Sequence, residues 1–147
     1  MSDSPTVVVA VSASPSGQEA LRRGVREARL RGARLHLIRV WRDIDRFFSM
    51  TRAEAGAMRA QERAEQAILA DAVQRAESLD SALSVSAELV PGDLYTAITA
   101  AAAHAELLVV GAGDTESRSA LIGEWFQRHV PCPVVIADAP LLVGRAG

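Results

Sequence analysis

The chain has 147 residues, of which 49% are apolar and 23% are charged. This composition is typical of a globular protein with room for a proper core, and it argues against disorder. The formal net charge of −2 and the lack of a basic stripe argue against nucleic-acid binding. The N-terminal stretch has neither a basic region nor a long apolar run, so we predict no signal peptide, no membrane association and a cytoplasmic location.

Two scarce residue types exclude several kinds of chemistry. All 16 basic residues are arginine, which excludes a Walker A loop, the protein-kinase lysine and Schiff-base catalysis. The one cysteine, Cys132, excludes an internal disulfide framework and a cysteine-rich metal site. Since no acid–base pair or activated nucleophile is visible either, we expect no metal site and no enzymatic activity.

Strands alternate with helices along the whole chain. In order, the predicted elements are a strand over 6–13, a helix over about 16–32, a strand over 33–41, a helix over 51–79, a strand over 82–90, a helix capped by Asp93, a strand over 106–112, a helix that contains Ile122 and Trp125, and a strand over 134–137. The strands are short β-branched or alternating runs bounded by turn residues. Ser16 and Glu19 have the spacing of a capping box, which places the start of the first helix.

This order of elements predicts an α/β fold. Strands that alternate with helices need right-handed crossovers and a parallel sheet covered on both faces. We therefore predict a doubly wound five-stranded parallel sheet of order 3-2-1-4-5 with helices on both faces. No repeat or linker divides residues 1–147, so we expect a single domain with a core at about 6–138 and a tail at 139–147.

A doubly wound sheet binds ligands at the carboxyl ends of its strands, where the strand order reverses. Here that point lies between the first and fourth strands. The candidate nucleotide crevice consists of Val11, Ser12, Val40, Val110, Gly111, Gly113, Arg118 and Ser119. A tight strand-to-helix turn without a ligand explains Gly111 and Gly113 equally well, because a short Gly-x-Gly is a weak signal.

The chain resembles the universal stress protein family over roughly residues 7–137. The segments that carry the resemblance are "VVVAVSASPSGQEALRRGVREARLRGARLHLIRVW", "PGD", "AELLVVGA" and "RHVPCPVVIA". The resemblance implies a doubly wound α/β fold and, usually, a homodimer. Many members of the family bind ATP, and others do not.

Compared with the ATP-binding members, the sequence departs at three places. They carry an acidic residue after the first strand, where this chain has Ser12. They have G-x-x-G after the fourth strand, whereas here the run 111–114 is Gly-Ala-Gly-Asp. The Gly-Ser or Gly-Thr pair that they place nine residues later has no match here. Asp114 and Glu116 add negative charge, and a carboxylate about 5 Å from a phosphate costs on the order of 3 kcal/mol at an effective dielectric constant of about 20.

Two hypotheses follow from the resemblance. One is a stress-response regulator that a bound nucleotide such as ATP switches, with Arg118 rebuilding the phosphate site. The other, which we favour, is a homodimeric regulatory domain with impaired or absent ATP binding that acts through an unknown protein partner. A phosphoacceptor receiver domain is rejected because the chain has no lysine. A flavin-binding electron carrier has little support, since Pro15 and the capping box already explain the serines after the first strand.

The last strand is predicted to lie at an edge of the sheet. It carries Val134, Val135 and Ile136, and no inward charge protects it. Because an exposed apolar edge invites pairing with another chain, and because family members commonly pair through this strand, we predict a two-fold homodimer with antiparallel pairing around Val135.

Overall fold

The structure is a computed structural model that describes residues 4–41, 51–113 and 117–138, without the side chains of 117–121. Its elements are β1 (Thr6–Ala10), α1 (Pro15–Arg31), β2 (Arg34–Trp41), α2 (Arg52–Leu79), β3 (Val85–Pro91), α3 (Leu94–Ala101), β4 (Leu107–Gly111), α4 (Ser117–His129) and β5 (Val134–Ala137). All strand pairs are parallel, in the order β3-β2-β1-β4-β5. The predicted doubly wound fold and strand order are confirmed. The predicted tail, 139–147, lies outside the described residues.

Side-chain caps fix where the helices begin, because the first amide groups of a helix have no partner within it. The hydroxyl of Thr51 and the carboxylate of Glu54 form a capping box at α2. Asp93 caps α3 by accepting a hydrogen bond from the Thr96 amide at 2.8 Å. The prediction for α1 was wrong in one respect, since Ser14 rather than Ser16 is the capping residue. The hydroxyl of Ser14 accepts a hydrogen bond from the Gly17 amide at 3.1 Å.

The predicted strands β1 and β3 are each shorter than expected at one end. Near these ends, side-chain oxygens accept hydrogen bonds from backbone amides. β1 ends at Ala10 rather than Ala13, and the hydroxyl of Ser12 accepts from the Ser14 amide just beyond it. β3 begins at Val85 rather than Ala82. Asp80 forms a turn there, with its carboxylate accepting from the Ala82 amide at 3.0 Å. Such Asx turns compete locally with strand pairing.

The sheet separates two apolar layers. On one face, Val7, Val9, Leu35 and Leu37 pack with residues of α1 and α2. On the other face, Val8, Ile38 and Leu108 pack with residues of α3 and α4, including Phe126. Both faces of β1 and β4 are covered, as in other parallel sheets. Among the described residues, no helix is long and apolar enough to cross a membrane.

Candidate functional site

A cavity of about 330 Å³ opens at the carboxyl ends of β1, β2 and β4, between these strand ends and the helices α3 and α4. This is the point where the strand order reverses, and its volume lies at the lower end of the range of about 300–1,000 Å³ that is typical of ligand pockets. Six predicted site residues line it: Val11, Ser12, Val40, Val110, Gly111 and Gly113. Arg118 and Ser119 lie in the first turn of α4, and their side chains are outside the described part of the chain.

One end of this crevice, the glycine end, is formed by Gly111, Gly113 and Ser16. The hydroxyl of Ser16 is fully buried and accepts a hydrogen bond from the Gly113 amide at 2.8 Å. A Cβ atom on Gly111 would lie 2.8 Å from the backbone carbon of Ser16 and 2.9 Å from its carbonyl oxygen. Gly113 itself has a φ of 92°, a conformation that side chains disfavour. The glycines therefore allow β4 to approach the start of α1 closely.

The hydroxyl groups after β1 form a chain that ends at the glycine end. The Ser12 and Ser14 hydroxyl oxygens lie 2.9 Å apart, and those of Ser14 and Ser16 lie 3.3 Å apart. Because Ser14 also caps α1 and Ser16 holds Gly113, these hydroxyls already have partners within the protein. The serine hydroxyls after β1 are thus bonded within the protein, although the cap is Ser14 and not the predicted Ser16.

The other end of the crevice, the arginine end, centres on Arg39 of β2. Its Nε donates to the Glu65 carboxylate at 2.6 Å, and its Nη1 donates to the Val11 carbonyl at 3.1 Å. Glu65 comes from α2 and is 7% exposed. The side-chain amide of Gln61 donates a hydrogen bond to the second carboxylate oxygen of Glu65 at 2.9 Å. These contacts fix the Arg39 guanidinium beside the carboxyl end of β1, where Ser12 also lies.

Neither Arg39 nor Glu65 was predicted as a site residue. The sequence did contain a signal, because Leu35 and Leu37 alternate into the α1–α2 layer and Arg39 is the next residue at that spacing. A charged side chain at such a position needs a buried partner. Nothing in the spacing of α2 indicated which of its carboxylates would be that partner.

The walls of the crevice are mostly apolar. Leu94 and Ile98 of α3 and Ile122 and Phe126 of α4 line it together with the strand ends. Ile98 and Phe126 are buried. A flat, uncharged group such as a nucleobase suits a site of this kind better than a highly charged one. Val11 and Ser12 also line a second cavity of about 280 Å³ between α1 and α2.

Two further side chains that could take part in chemistry, Cys132 and His129, lie in surroundings that suit a structural role. Burial raises the pKa of the Cys132 thiol above its ordinary value, which favours the less nucleophilic protonated form. His129 stacks on Trp125, with ring centroids 4.0 Å apart, and its Nδ1 donates to the Trp125 carbonyl at 2.8 Å. Within the ranges that the structure describes, no three His, Cys, Asp or Glu side chains are grouped so as to hold a metal ion.

Residues 4–138 match the sequence model of the universal stress protein family. The chain belongs to that family. A search of curated proteins gives no match. The family match agrees with the geometry described above, in which a doubly wound sheet presents a crevice at the reversal of its strand order.

Solved structures of universal stress proteins share the fold. UspA from Lactobacillus plantarum superposes with a TM-score of 0.73 at 21% identity, covering 93% of this chain and 99% of that one. A universal stress protein in complex with cAMP gives 0.72 at 22% identity, over 95% and 100% of the two chains. A family member from Arabidopsis thaliana with AMP bound gives 0.67 at 18% identity, over 92% of each.

Proposed function

We propose that this chain is a regulatory universal stress protein domain that works in the stress response as a homodimer, through a protein partner and without tightly bound ATP. The observation that carries the proposal is the hydrogen bond from the Gly113 amide to the buried Ser16 hydroxyl. A triphosphate binds after a strand through backbone amides that are free to point at it. Here Ser16 already accepts from that amide.

Charge supports the same conclusion. Asp114 and Glu116 follow Gly113 in the sequence, and the chain has no lysine to offset a triphosphate. The charged pair described at the crevice, Arg39 with Glu65, is neutral as a unit. Because each phosphate adds negative charge to this setting, we expect affinity to fall as the phosphate chain lengthens.

The test is a calorimetric titration of the folded protein with Mg-ATP. We expect no binding below roughly millimolar concentration in the wild type. Ser16→Ala frees the Gly113 amide, so we expect this variant to bind Mg-ATP more tightly than the wild type. Ser78→Ala, at an exposed position of α2, is the matched control. Micromolar Mg-ATP binding by the wild type would refute the proposal.

Homodimer formation is proposed through β5. The Leu108 amide donates to the Pro133 carbonyl, and the Ala112 amide donates to the Ala137 carbonyl. Since successive strand residues point their backbone groups to opposite sides, those of Val134 and Ile136 point away from β4. Val134, Val135 and Ile136 are all only half-buried. This edge thus offers backbone groups and apolar side chains to a second copy.

A proline at the first residue of β5 tests the dimer. Val134→Pro removes one outward N–H while keeping similar bulk, and proline is tolerated at a strand start. Val85→Pro is the matched control, because Val85 begins β3 and its backbone points outward at the opposite edge. By light scattering we expect a monomer for Val134→Pro and a dimer for Val85→Pro. A folded Val134→Pro variant that stays dimeric would count against β5 as the interface.

A second candidate function is nucleotide binding without the triphosphate cradle. It is favoured by the mostly apolar crevice of about 330 Å³. Further support comes from structural neighbours, which include universal stress protein structures in complex with cAMP, dAMP and AMP. An adenine nucleotide with a single phosphate would use the apolar walls and would not need the Gly113 amide. In this candidate function, the crevice binds a small regulatory nucleotide and does not serve packing alone.

A further inference from the structure

We propose that Arg39 makes the crevice selective for a nucleoside monophosphate by binding its single phosphate at the arginine end, and that Glu65 is the residue that positions Arg39. This inference rests on the second candidate function, nucleotide binding.

Among the described residues that line it, the crevice offers two places for an anion. At the glycine end, the amide of Gly113 already donates to Ser16. At the arginine end, Arg39 lines the cavity and carries a permanent positive charge. A phosphate therefore binds more favourably at the arginine end, because the protein already holds a positively charged side chain in place there.

Within the part of the chain that the structure describes, the contacts of Arg39 fix the guanidinium without using all of its donors. Glu65 accepts from Nε, and the Val11 carbonyl accepts from Nη1. Arginine has more N–H groups than these two, and its planar fork suits phosphate oxygens. The side chain of Arg39 is 21% exposed, which leaves part of it in reach of a ligand.

Glu65 orders this arrangement from behind. Both Arg39 and Gln61 donate hydrogen bonds to its carboxylate, and Glu65 is one of the buried residues of α2. An arginine that is already held in place loses less conformational entropy when it binds an anion than a free one does. The negative charge of Glu65 also weakens the attraction for phosphate, so one phosphate is accommodated better than three.

Ser12 adds to the selectivity at this end. Where the ATP-binding members that the sequence resembles carry an acidic residue, this chain has Ser12, whose hydroxyl lies just after β1 beside Val11. A carboxylate at this position would repel a phosphate on Arg39, whereas a hydroxyl does not. The hydroxyl of Ser12 therefore leaves the arginine end able to accommodate a phosphate.

The experiment compares AMP with adenosine by calorimetry, because the two differ only in the phosphate. We expect the wild type to bind AMP more tightly than adenosine and more tightly than ATP. Arg39→Gln should weaken AMP binding by roughly ten- to a hundredfold, the scale of a hydrogen bond to a charged group, and leave adenosine binding within about twofold. Glu65→Gln keeps an oxygen that can accept from Arg39 Nε and removes only the opposing charge, so it should tighten AMP binding several-fold.

Two controls make the outcome decisive. Arg34→Gln removes the same charge from the exposed start of β2 and should change neither affinity. Inorganic phosphate alone should bind far more weakly than AMP, and equal binding would overturn the assignment to a nucleotide. Equal losses of AMP and adenosine in Arg39→Gln would overturn the role of Arg39 while leaving nucleotide binding intact. No binding of either ligand by the folded wild type would refute both the inference and the second candidate function.

Discussion

The two ends of the crevice hold their polar groups in different ways. At the glycine end, the Gly113 amide and the Ser16 hydroxyl satisfy each other, and backbone atoms pack too closely to move independently. At the arginine end, the charges of Arg39 and Glu65 are held by side-chain contacts that span β2 and α2. The glycine end thus serves the packing of α1 on β4, whereas the arginine end keeps a charged group next to the cavity. A phosphate-binding motif in the sequence can therefore persist for reasons of packing alone.

The strongest test of this comparison is Gly111→Ala. The new Cβ would meet backbone atoms of Ser16 at 2.8 and 2.9 Å, and backbone cannot rotate away as a side chain can. We expect a loss of about 3 kcal/mol of unfolding free energy, the upper end for overpacking. Urea denaturation measures it. Gly56→Ala in α2 is the control, because nothing lies within 4 Å of its added Cβ, and it should gain about 0.5–1 kcal/mol. An unchanged midpoint for Gly111→Ala would show that the glycine end is loosely packed.

A smaller loss is expected at the arginine end for Glu65→Ala. Removing this carboxylate leaves Arg39 without its charged partner in a partly buried setting, which should cost about 2 kcal/mol. Glu62→Ala, at an exposed position of the same helix, should stay within about 0.5 kcal/mol of the wild type. Equal stabilities of the two variants in urea would mean that the Arg39–Glu65 pair does not hold α2 to the sheet.

Ser16→Ala should cost less again. It leaves the Gly113 amide without the partner that the structure shows, and an unsatisfied buried amide costs about 1–3 kcal/mol. Because Gly113 is only half-buried, we expect about 1 kcal/mol, with water replacing part of the lost bond. Amide hydrogen exchange provides the site-specific measurement, since the Gly113 amide should exchange faster in the variant. Unchanged protection of that amide would contradict the hydrogen bond.

The smallest effect concerns Asp93, which caps α3 beside the crevice. Hydrogen bonds from the backbone and side chain of Thr96 hold the pKa of Asp93 below its ordinary value. A lowered folded-state pKa stabilises the protein above the ordinary value, about 3.9, and this contribution is lost as pH falls through the folded-state pKa. Asp93→Asn keeps a good cap without titrating. We expect the wild type to exceed this variant in stability at neutral pH and to lose that advantage near pH 3. A pH-independent difference between the two melting temperatures would contradict the assignment.

Much of the fold followed from local patterns. The β-branched run of β1 and the apolar run of β4 indicated buried parallel strands, and their alternation with helices led to the strand order that the structure has. Asp93 was also predicted correctly as a cap, since capping depends on the backbone next to it. These features depend on neighbours within a few residues, which the sequence displays directly.

For the candidate site, the sequence likewise predicted the positions of residues but not their long-range hydrogen-bond partners. The residues that Gly-x-Gly and the strand ends indicated do lie around one cavity. The partner of the Gly113 amide is Ser16, 97 residues away, and the partner of Arg39 is Glu65, 26 residues away. A sequence motif shows that an amide or a guanidinium is present but not what it is bonded to. The sequence determined the sheet and the position of the crevice, because those follow from periodicity and crossover handedness. Only the tertiary structure decided which polar groups are already paired, because such pairing depends on packing between distant segments.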